Sequence, residues 1–474
     1  MSIQSTDLGS GTARPLNLPV PDSPDVMVLD DQTLKDLEIF TSGSEGPTIF
    51  NLCDFTRNEQ GGRALQARMS RPWSTPERIR AVQESISFIR ENREAFNNLP
   101  SFVTTELVEN YFHRSLPPIT STNLVEFIYG VLEIRLGDYG RYTWIMRGVE
   151  ATSSLVRKLR SIVDNPALAN PRGELAAYIS EMRELLDHPA LAQVTEEKSW
   201  NMGPWKILKT DQLFRMHEKV TMERLMQLIY EIDALLSMAI ATQKHGFIMP
   251  EIASGTLAIK AEGVFHPLVD DAVANDASLD QDRRLLFLTG PNMAGKTTYL
   301  RACAIAIYLA HLGMGVPATS FRFVPAQRLF SSITLADNLR IGVSFFRAEG
   351  LRVKAIAQAV ADGYRVIALM DEPFKGTNVK DALDASRTIL QSFANKQDNL
   401  FMFSSHLIEL CDQMEALDHI DCRHFEAHEY DGRLRFDFVL RPGVSSQRLG
   451  MRVLKEEGIF ELLDRDPNDN FTRQ

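Results

Sequence analysis

The spacing of apolar and polar positions changes near residue 246. Between residues 122 and 245 apolar side chains recur at helical spacing, as in Leu124-Phe127-Ile128-Leu132 and Leu225-Leu228-Ile229-Ile232-Leu235. The stretch from Asp211 to Lys244 contains neither Pro nor Gly. It predicts a single helix of about 30 residues and about 45 Å, an arm rather than a helix that fills a globule. A plain helical bundle has the same periodicity, so that reading stays open. Further upstream, Ser74-Thr75-Pro76-Glu77 has the form of a capping box with Pro in the first turn and predicts a helix to about Asn92. Beyond Gly246 short β-type runs alternate with helical ones: Thr256–Ile259, Leu285–Thr289, Val366–Met370 and Leu400–Ser404. That alternation predicts a mostly parallel sheet with helices on its faces. Residues 1–26, rich in Ser, Pro, Gly and Asp, read as a flexible leader. The expected organisation is a leader at 1–26, an all-α domain at 27–249 and an α/β domain at 250–474.

Charge and cysteine content restrict the function classes. Lys plus Arg is 51 and Asp plus Glu is 62 in 474 residues, a balance of −11. This argues against a surface coated in phosphate-binding charge but leaves room for a local basic face. The four cysteines form no CxxC pair, which suits a reducing compartment. Cys422, His424 and His428 lie close together, with Cys411 and His419 nearby. Their spacing matches no zinc ribbon or finger, and an ordinary strand and loop is expected there. No run of 18 apolar residues and no signal peptide is visible, so a cytoplasmic protein without a membrane span is expected.

Three segments of the α/β region carry chemistry. Gly290-Pro291-Asn292-Met293-Ala294-Gly295-Lys296-Thr297 fits G-x-x-x-x-G-K-[ST], after the apolar run Leu285–Leu288 and before the helical pattern Leu300-Ala304-Ile307. In such a loop the glycines let the backbone wrap phosphates and the following helix presents free N–H groups to them. Lys296 is expected to neutralise β- and γ-phosphates, and Thr297 to offer its hydroxyl to Mg²⁺. Next, the apolar strand Val366–Met370 ends in Asp371-Glu372. Asp371 is a candidate Mg²⁺ ligand with Thr297, and Glu372 a candidate to orient or deprotonate the attacking water. Without the phosphate loop the same two acids would read as an acidic turn. Third, Phe401-Met402-Phe403 runs into Ser404-Ser405-His406. His406 is there either a γ-phosphate sensor or a structural His at a strand end.

In order, these segments resemble the MutS family of DNA mismatch-repair ATPases. The run from Thr289, TGPNMAGKTTYLR, is similar to that family's TGPNMGGKST-Y-R pattern, and brings Thr298 into the loop. Asp371-Glu372-Pro373-Phe374-Lys375-Gly376-Thr377 resembles DE-x-x-[RK]-G-T, and Ser405-His406-Leu407-Ile408-Glu409-Leu410 resembles TH-x-x-EL. Leu29-Asp30, Thr33, Leu37-Glu38 and Gly61-Gly62-Arg63-Ala64-Leu65 look like the start of the family's helical core, and His266-Pro267-Leu268 like the opening of its ATPase domain. The resemblance spans roughly residues 27–465, and implies a MutS-like P-loop ATPase domain of mostly parallel sheet behind an all-α core and lever domain. It implies ATP and Mg²⁺ as cofactors and ATP hydrolysis as the activity. An aromatic or His before the C-terminal Gly stacks on the adenine in that family. Phe438 takes the place here, with a core strand residue in Phe436-Asp437-Phe438 as the alternative. The second stacking position corresponds to Ala272 or Val273.

The family pattern D-x-L-x-x-G-x-S-x-F-x-x-E is matched by Asp337, Leu339, Gly342, Ser344, Phe346 and Glu349. In that family the Ser reaches the nucleotide site of the other subunit, which implies a homodimer with composite sites and a catalytic part for Ser344. Its alternative is a plain helix cap. The sequence departs from mismatch-reading relatives in two ways. Residues 1–26 leave no room for a mismatch-reading domain, and none of the 26 Phe is followed two places on by Glu. The expectation is therefore the engine of a MutS protein without its mismatch reader, with helical arms that move on DNA and repair or recombination proteins as further partners. Arg157, Lys158 and Arg160 are candidate phosphate contacts or a solvated helix face. An ATP-driven module that recruits protein partners without touching DNA is the alternative. A small-molecule kinase fits poorly, because it has no use for the Gly342-Ser344 segment.

Overall fold

The structure is a computed structural model. It describes residues 23–463 apart from 43–45, 115–117, 121–122, 193, 195–198, 335–344, 416, 431–432, 446, 448–453 and 456–457. The chain forms two compact units. One comprises Cys53–Arg71 and Arg80–Gln243, the other Pro21–Leu52, Pro72–Ile79 and everything from Lys244.

In chain order the N-terminal segment gives β1 (Val28–Leu29), α1 (Asp31–Asp36) and α2 (Ile49–Cys53), and helices follow: α3 (Glu59–Met69), α4 (Pro76–Glu91), α5 (Phe102–His113), α6 (Leu124–Leu132), α7 (Tyr139–Val163), α8 (Glu174–Leu186), α9 (Pro189–Ala192), α10 (Pro204–Gln212) and α11 (Lys219–Lys244). The first unit is thus helical, and α4 ends within one residue of the expected position.

The long arm expected from Asp211 to Lys244 is not one continuous α-helix. A π-helical turn at Leu213–His217 separates α10 from α11. There the Glu218 N–H donates to the carbonyl of Leu213, and the buried Glu218 carboxylate takes the Thr221 hydroxyl at 2.9 Å and lies 3.1 Å from His188. The 26 residues of α11 extend about 39 Å. By length and composition α11 could cross a bilayer, but 83% of its most apolar window is buried inside the protein, as in a core helix. It is held by long-range contacts. Asp233 accepts the Arg57 N–H at 2.8 Å and Ser237 the Phe55 N–H at 2.7 Å. Gly61 is what lets α3 approach, because a Cβ there would lie 2.3 Å from Asp233 Oδ2. Two of the three candidate phosphate contacts are engaged internally. Arg157 pairs with Glu150 at 3.2 Å and Arg160 donates to the Leu191 carbonyl at 2.6 Å.

The second unit is built on two sheets. Its strands are β2 (Glu251–Ile252), β3 (Ile259–Val264), β4 (Asn275–Leu279), β5 (Leu285–Thr289), β6 (Ser320–Phe323), β7 (Arg328–Ser332), β8 (Val366–Asp371), β9 (Leu400–Ser404), β10 (Ile420–His424), β11 (Ala427–Tyr430), β12 (Arg433–Phe436) and β13 (Arg441–Pro442). Helices α12 (Lys296–His311), α13 (Phe345–Ala361), α14 (Val379–Ala394) and α15 (Ile408–Glu415) alternate with them. The main sheet has the order β1-β7-β8-β9-β5-β10-β13 and is parallel except at β13. A second sheet has the order β2-β6-β3-β4. Strands β5 and β9 are buried along their whole length, as continuous apolar runs covered on both faces must be. Their side chains, with those of β8, α13 and α14, form one core around Phe287, Phe401 and Phe403.

Two expectations differ from this arrangement. The run Thr256–Ile259 lies mostly ahead of its strand, which starts at Ile259. Residues 27–52, read from the sequence as the opening of the helical core, belong to the sheet unit. Val28 and Leu29 pair in parallel with Arg328 and Leu329. The buried Asp36 carboxylate takes the Ser331 hydroxyl at 2.9 Å and the N–H groups of Ile333 and Thr334 at 2.8 and 3.0 Å. A two-residue strand and a single buried acid have no periodicity from which this docking could be read. Cys422 and His424 lie on β10 and His428 on β11. His424 faces Glu426 at 3.0 Å, and His428 faces Asp437 at 3.2 Å.

Candidate functional site

The loop that follows β5 and the C-terminal end of β8 meet at one cavity of 580 Å³. In open parallel sheets this edge is where ligands bind. β9 lies between β5 and β8, so Ser404 is in register with Leu288 on one side and Asp371 on the other.

The loop between β5 and α12 has the shape its glycines allow. Gly290 has φ +138°, and a Cβ there would come within 2.7 Å of the Phe425 carbonyl. Gly295, at φ +100°, precedes the first turn of α12. Left-handed conformations of this kind favour glycine. The N–H groups of that first turn have no intrahelical acceptors, which makes it an anion site. Pro291, Asn292, Met293, Gly295, Lys296, Thr297 and Thr298 line the cavity, while Ala294 packs inward, 1% exposed. Gly290 contributes its carbonyl, which accepts from Lys296 Nζ at 2.9 Å, and that of Pro291 does so at 3.1 Å.

The acidic pair is divided between two tasks. Asp371 Oδ2 accepts the Thr297 hydroxyl at 2.6 Å, and its other oxygen accepts the Ser404 hydroxyl. Two hard oxygen donors side by side suit Mg²⁺. Glu372 instead faces cations. Its carboxylate lies 3.2 Å from Lys296 Nζ, 2.9 Å from Lys375 Nζ and 3.4 Å from His406 Nδ1. Burial opposes its ionisation, but hydrogen bonds from His406 and Lys375 and the charge of Lys296 outweigh burial and hold the carboxyl well below its ordinary 4.5. The Glu372 backbone has φ +45°, a costly conformation for a residue with a Cβ. Its N–H donates to the Ser404 hydroxyl at 3.0 Å, which helps hold it.

The opposite wall is less polar. Phe438 lines it together with Ala272 and Val273. Phe438 follows β12 rather than lying within it and has φ +56°. Asn275 fixes that turn from both sides: its Nδ2 donates to the Phe438 carbonyl at 2.9 Å, and its Oδ1 accepts the Leu440 N–H at 2.7 Å. His266 also lines the cavity. Burial, assisted by the charge of Arg301, pushes its imidazole down to about 4. It is therefore neutral near pH 7, with Nδ1 accepting the Leu268 N–H at 3.3 Å.

Of the sequence-predicted residues, the phosphate loop, Asp371, Glu372 and Phe438 meet at this cavity. His406 reaches it through Glu372 and is half exposed. Ser344, with Asp337, Leu339 and Gly342, lies outside the described residues. Sequence reasoning gave no task to Lys375, Ser404 or Asn275. Lys375 stood in a quoted motif without a role, and Ser404 stood next to the residues that were weighed.

The fold and the loop are those of a phosphate-loop nucleotide-binding domain. Residues 286–464 match the family model for MutS domain V. The chain is 36% identical over 231 residues to the DNA mismatch repair protein MutS of Macrococcus caseolyticus, covering 47% of this chain and 27% of that protein. It is 25% identical over 525 residues to the protein of the same name from Aquifex pyrophilus, covering 92% and 61%. With that of Lactococcus lactis it is 30% identical over 251 residues, covering 52% and 30%. The chain is thus similar to MutS domain V over residues 286–464 and to proteins named MutS over about half or more of its length. It spans between about a quarter and about three fifths of the length of these relatives.

Proposed function

We propose that the chain hydrolyses ATP to ADP and phosphate in a Mg²⁺-dependent reaction, and that it acts as a dimerising, MutS-type switch on DNA in the cytoplasm. The observation that carries the hydrolytic reading is the pair of contacts at one cavity, Lys296 with Glu372 at 3.2 Å and Thr297 with Asp371 at 2.6 Å. When bound, Mg²⁺ supplies positive charge beside the β- and γ-phosphates. Thr297 and Asp371 would hold it. Lys296 neutralises the phosphates, the loop N–H groups cradle them, and Phe438 stacks on the base. Glu372, kept ionised by its cationic neighbours, orients and accepts a proton from the attacking water, with His406 holding its carboxylate.

Ser344 of one subunit completes the site of the other, as the motif from Asp337 to Glu349 implies, so that ATP binding and subunit pairing are coupled. The helical unit then answers the nucleotide state, acting on DNA together with repair or recombination proteins. Hydrolysis is tested with Lys296→Ala and Glu372→Gln. The first should lose nucleotide affinity, and the second should retain ATP while turning it over slowly. Full turnover by Glu372→Gln would refute the assignment. Pairing is tested by particle mass with and without ATP, and sharing of sites by mixing Ser344→Ala with Lys296→Ala subunits, which should restore part of the activity.

A second reading, an ATP-driven module that recruits proteins without touching DNA, is favoured by one observation. Helix α6 exposes Leu124, Val125, Tyr129 and Leu132, each at least half open to solvent, an apolar stripe suited to protein contact. Titration of duplex and branched DNA against salt, with and without a non-hydrolysable analogue, separates the two. DNA contact should give a log–log slope of about −0.9 per phosphate neutralised on duplex, and absence of binding at low salt in both states leaves the second reading.

A further inference from the structure

We infer that Glu349 is a positioning residue for the hydrolytic centre, holding the loop after β8 so that Lys375 stays on Glu372. The inference rests on the hydrolytic reading proposed above. Glu349 lies in the first turns of α13 and is 2% exposed. A carboxylate so deeply buried requires hydrogen-bond donors, and backbone groups supply them. The Lys375 N–H reaches Oε1 at 3.1 Å and the Gly376 N–H reaches Oε2 at 3.4 Å.

The loop so held is one that would not keep its shape alone. Both Glu372, at φ +45°, and Phe374, at φ +69°, are left-handed without being glycine. Each such residue is strained and persists only where its surroundings over-determine it. Here α13 provides those surroundings twice. Besides Glu349, the ring of Phe346 lies 5.9 Å from the buried ring of Phe374. The helix is itself anchored. Arg352, one turn further on, donates to the Ser331 carbonyl at 3.1 Å and to the Thr33 hydroxyl at 3.0 Å, and pairs with Asp30. Glu349 is therefore a fixed point, and the loop is shaped against it. The result is delivered by Lys375, whose Nζ lies 2.9 Å from Glu372 Oε2.

Glu349 touches neither Glu372 nor the cavity, so its effect must pass through the loop. The test uses the full chain with Glu349→Ala, Glu349→Gln, Lys375→Ala and the double variant Glu349→Ala with Lys375→Ala. Glu349→Ala should lower kcat for ATP hydrolysis about 10-fold or more, since a misplaced reacting group can cost up to about 10²-fold. Binding of a non-hydrolysable analogue should stay within about 2-fold, because the phosphate loop is untouched. In the Lys375→Ala background the second substitution should add little, as coupled residues do. Glu349→Gln, which keeps the size and one acceptor oxygen, should be intermediate, and it carries the kcat and binding tests if Glu349→Ala fails to fold.

Parallel loss of affinity and turnover, or additive losses with Lys375→Ala, would overturn the inference. Glu372→Gln measured alongside separates the two levels. If it abolishes turnover while the Glu349 variants behave as the unsubstituted chain, only the positioning inference fails. If it turns over fully, the hydrolytic reading fails and this inference falls with it.

Discussion

In the helical unit Arg68 lies between Glu174 and Glu231, at 2.9 and 3.1 Å, and donates to the Tyr178 hydroxyl at 2.6 Å. In the sheet unit Lys296 lies 3.2 Å from Glu372, which also meets Lys375 and His406. Arg68 and Lys296 are each 5% exposed. By burial and pairing alone Arg68 and Lys296 are equivalent, and either could be offered as a site residue. They differ in what lies beside them. Lys296, Glu372 and Lys375 line a cavity of 580 Å³, whereas none of Arg68, Glu174, Glu231 and Tyr178 does. They also differ in backbone. Glu372 sits in a left-handed conformation, while Arg68, Glu174 and Glu231 lie within regular helices. A buried ion pair is weak evidence of function or stability by itself. Strained backbone with charge directed into open volume is stronger evidence of function.

The largest effect expected is at the cavity. Glu372→Gln should reduce turnover by about 10²–10⁴, the usual contribution of a positioned acid or base, while lowering stability far less than Arg68→Ala does. Measuring both together breaks the comparison if stability and turnover fall in step. In the closed cluster the order of effects should reverse. Arg68→Ala leaves two carboxylates uncompensated and should destabilise by about 3–5 kcal/mol, read by denaturant unfolding. Nucleotide binding by the fraction still folded should be unchanged.

A smaller effect is expected at the aromatic wall of the cavity. Asn275→Ala removes both contacts that hold the turn at Phe438. Each net hydrogen bond contributes about 0.5–1.5 kcal/mol, so nucleotide Kd should rise roughly 5-fold with turnover at saturation little changed. A Kd equal to that of the parent would return Phe438 to a merely structural role.

A pH signature separates the two units as well. Burial raises the Asp233 carboxyl from 3.8 to about 6. The folded state then holds this proton more tightly than the unfolded one, so stability falls as pH rises from 3.8 to about 6, and the penalty is complete above that. Glu372 has the opposite sign: its carboxyl lies below 4.5, so its contribution is present above 4.5 and is lost as pH falls toward the depressed value. Asp233→Asn should flatten the decline between pH 4 and 6 in unfolding measurements. An unchanged slope would mean that the Asp233 proton is held no differently in the two states.

Much of this was legible in the chain itself. A phosphate loop is a local structure, since its glycines, its Lys and the helix behind it are consecutive. Four β-type runs were visible, and three of them became strands over nearly the expected residues, because continuous apolar runs report burial directly. The helical unit was legible by period, but the π turn at Leu213–His217 was not, because one extra residue in a turn leaves the apolar spacing almost intact.

The sequence by itself determined that a helical region precedes an α/β region carrying a phosphate loop, and that Asp371 and Glu372 end a buried strand. Those properties depend on spacing within one element. Only the tertiary structure decided that β9 lies between the two motif strands, which brings Ser404 onto Asp371. The same holds for the N-terminal segment, which joins the sheet at β7, and for Glu349 on α13, which supports a loop that begins 23 residues further along the chain. Each of these depends on contacts between elements distant along the chain, and such contacts leave no periodic trace in a sequence.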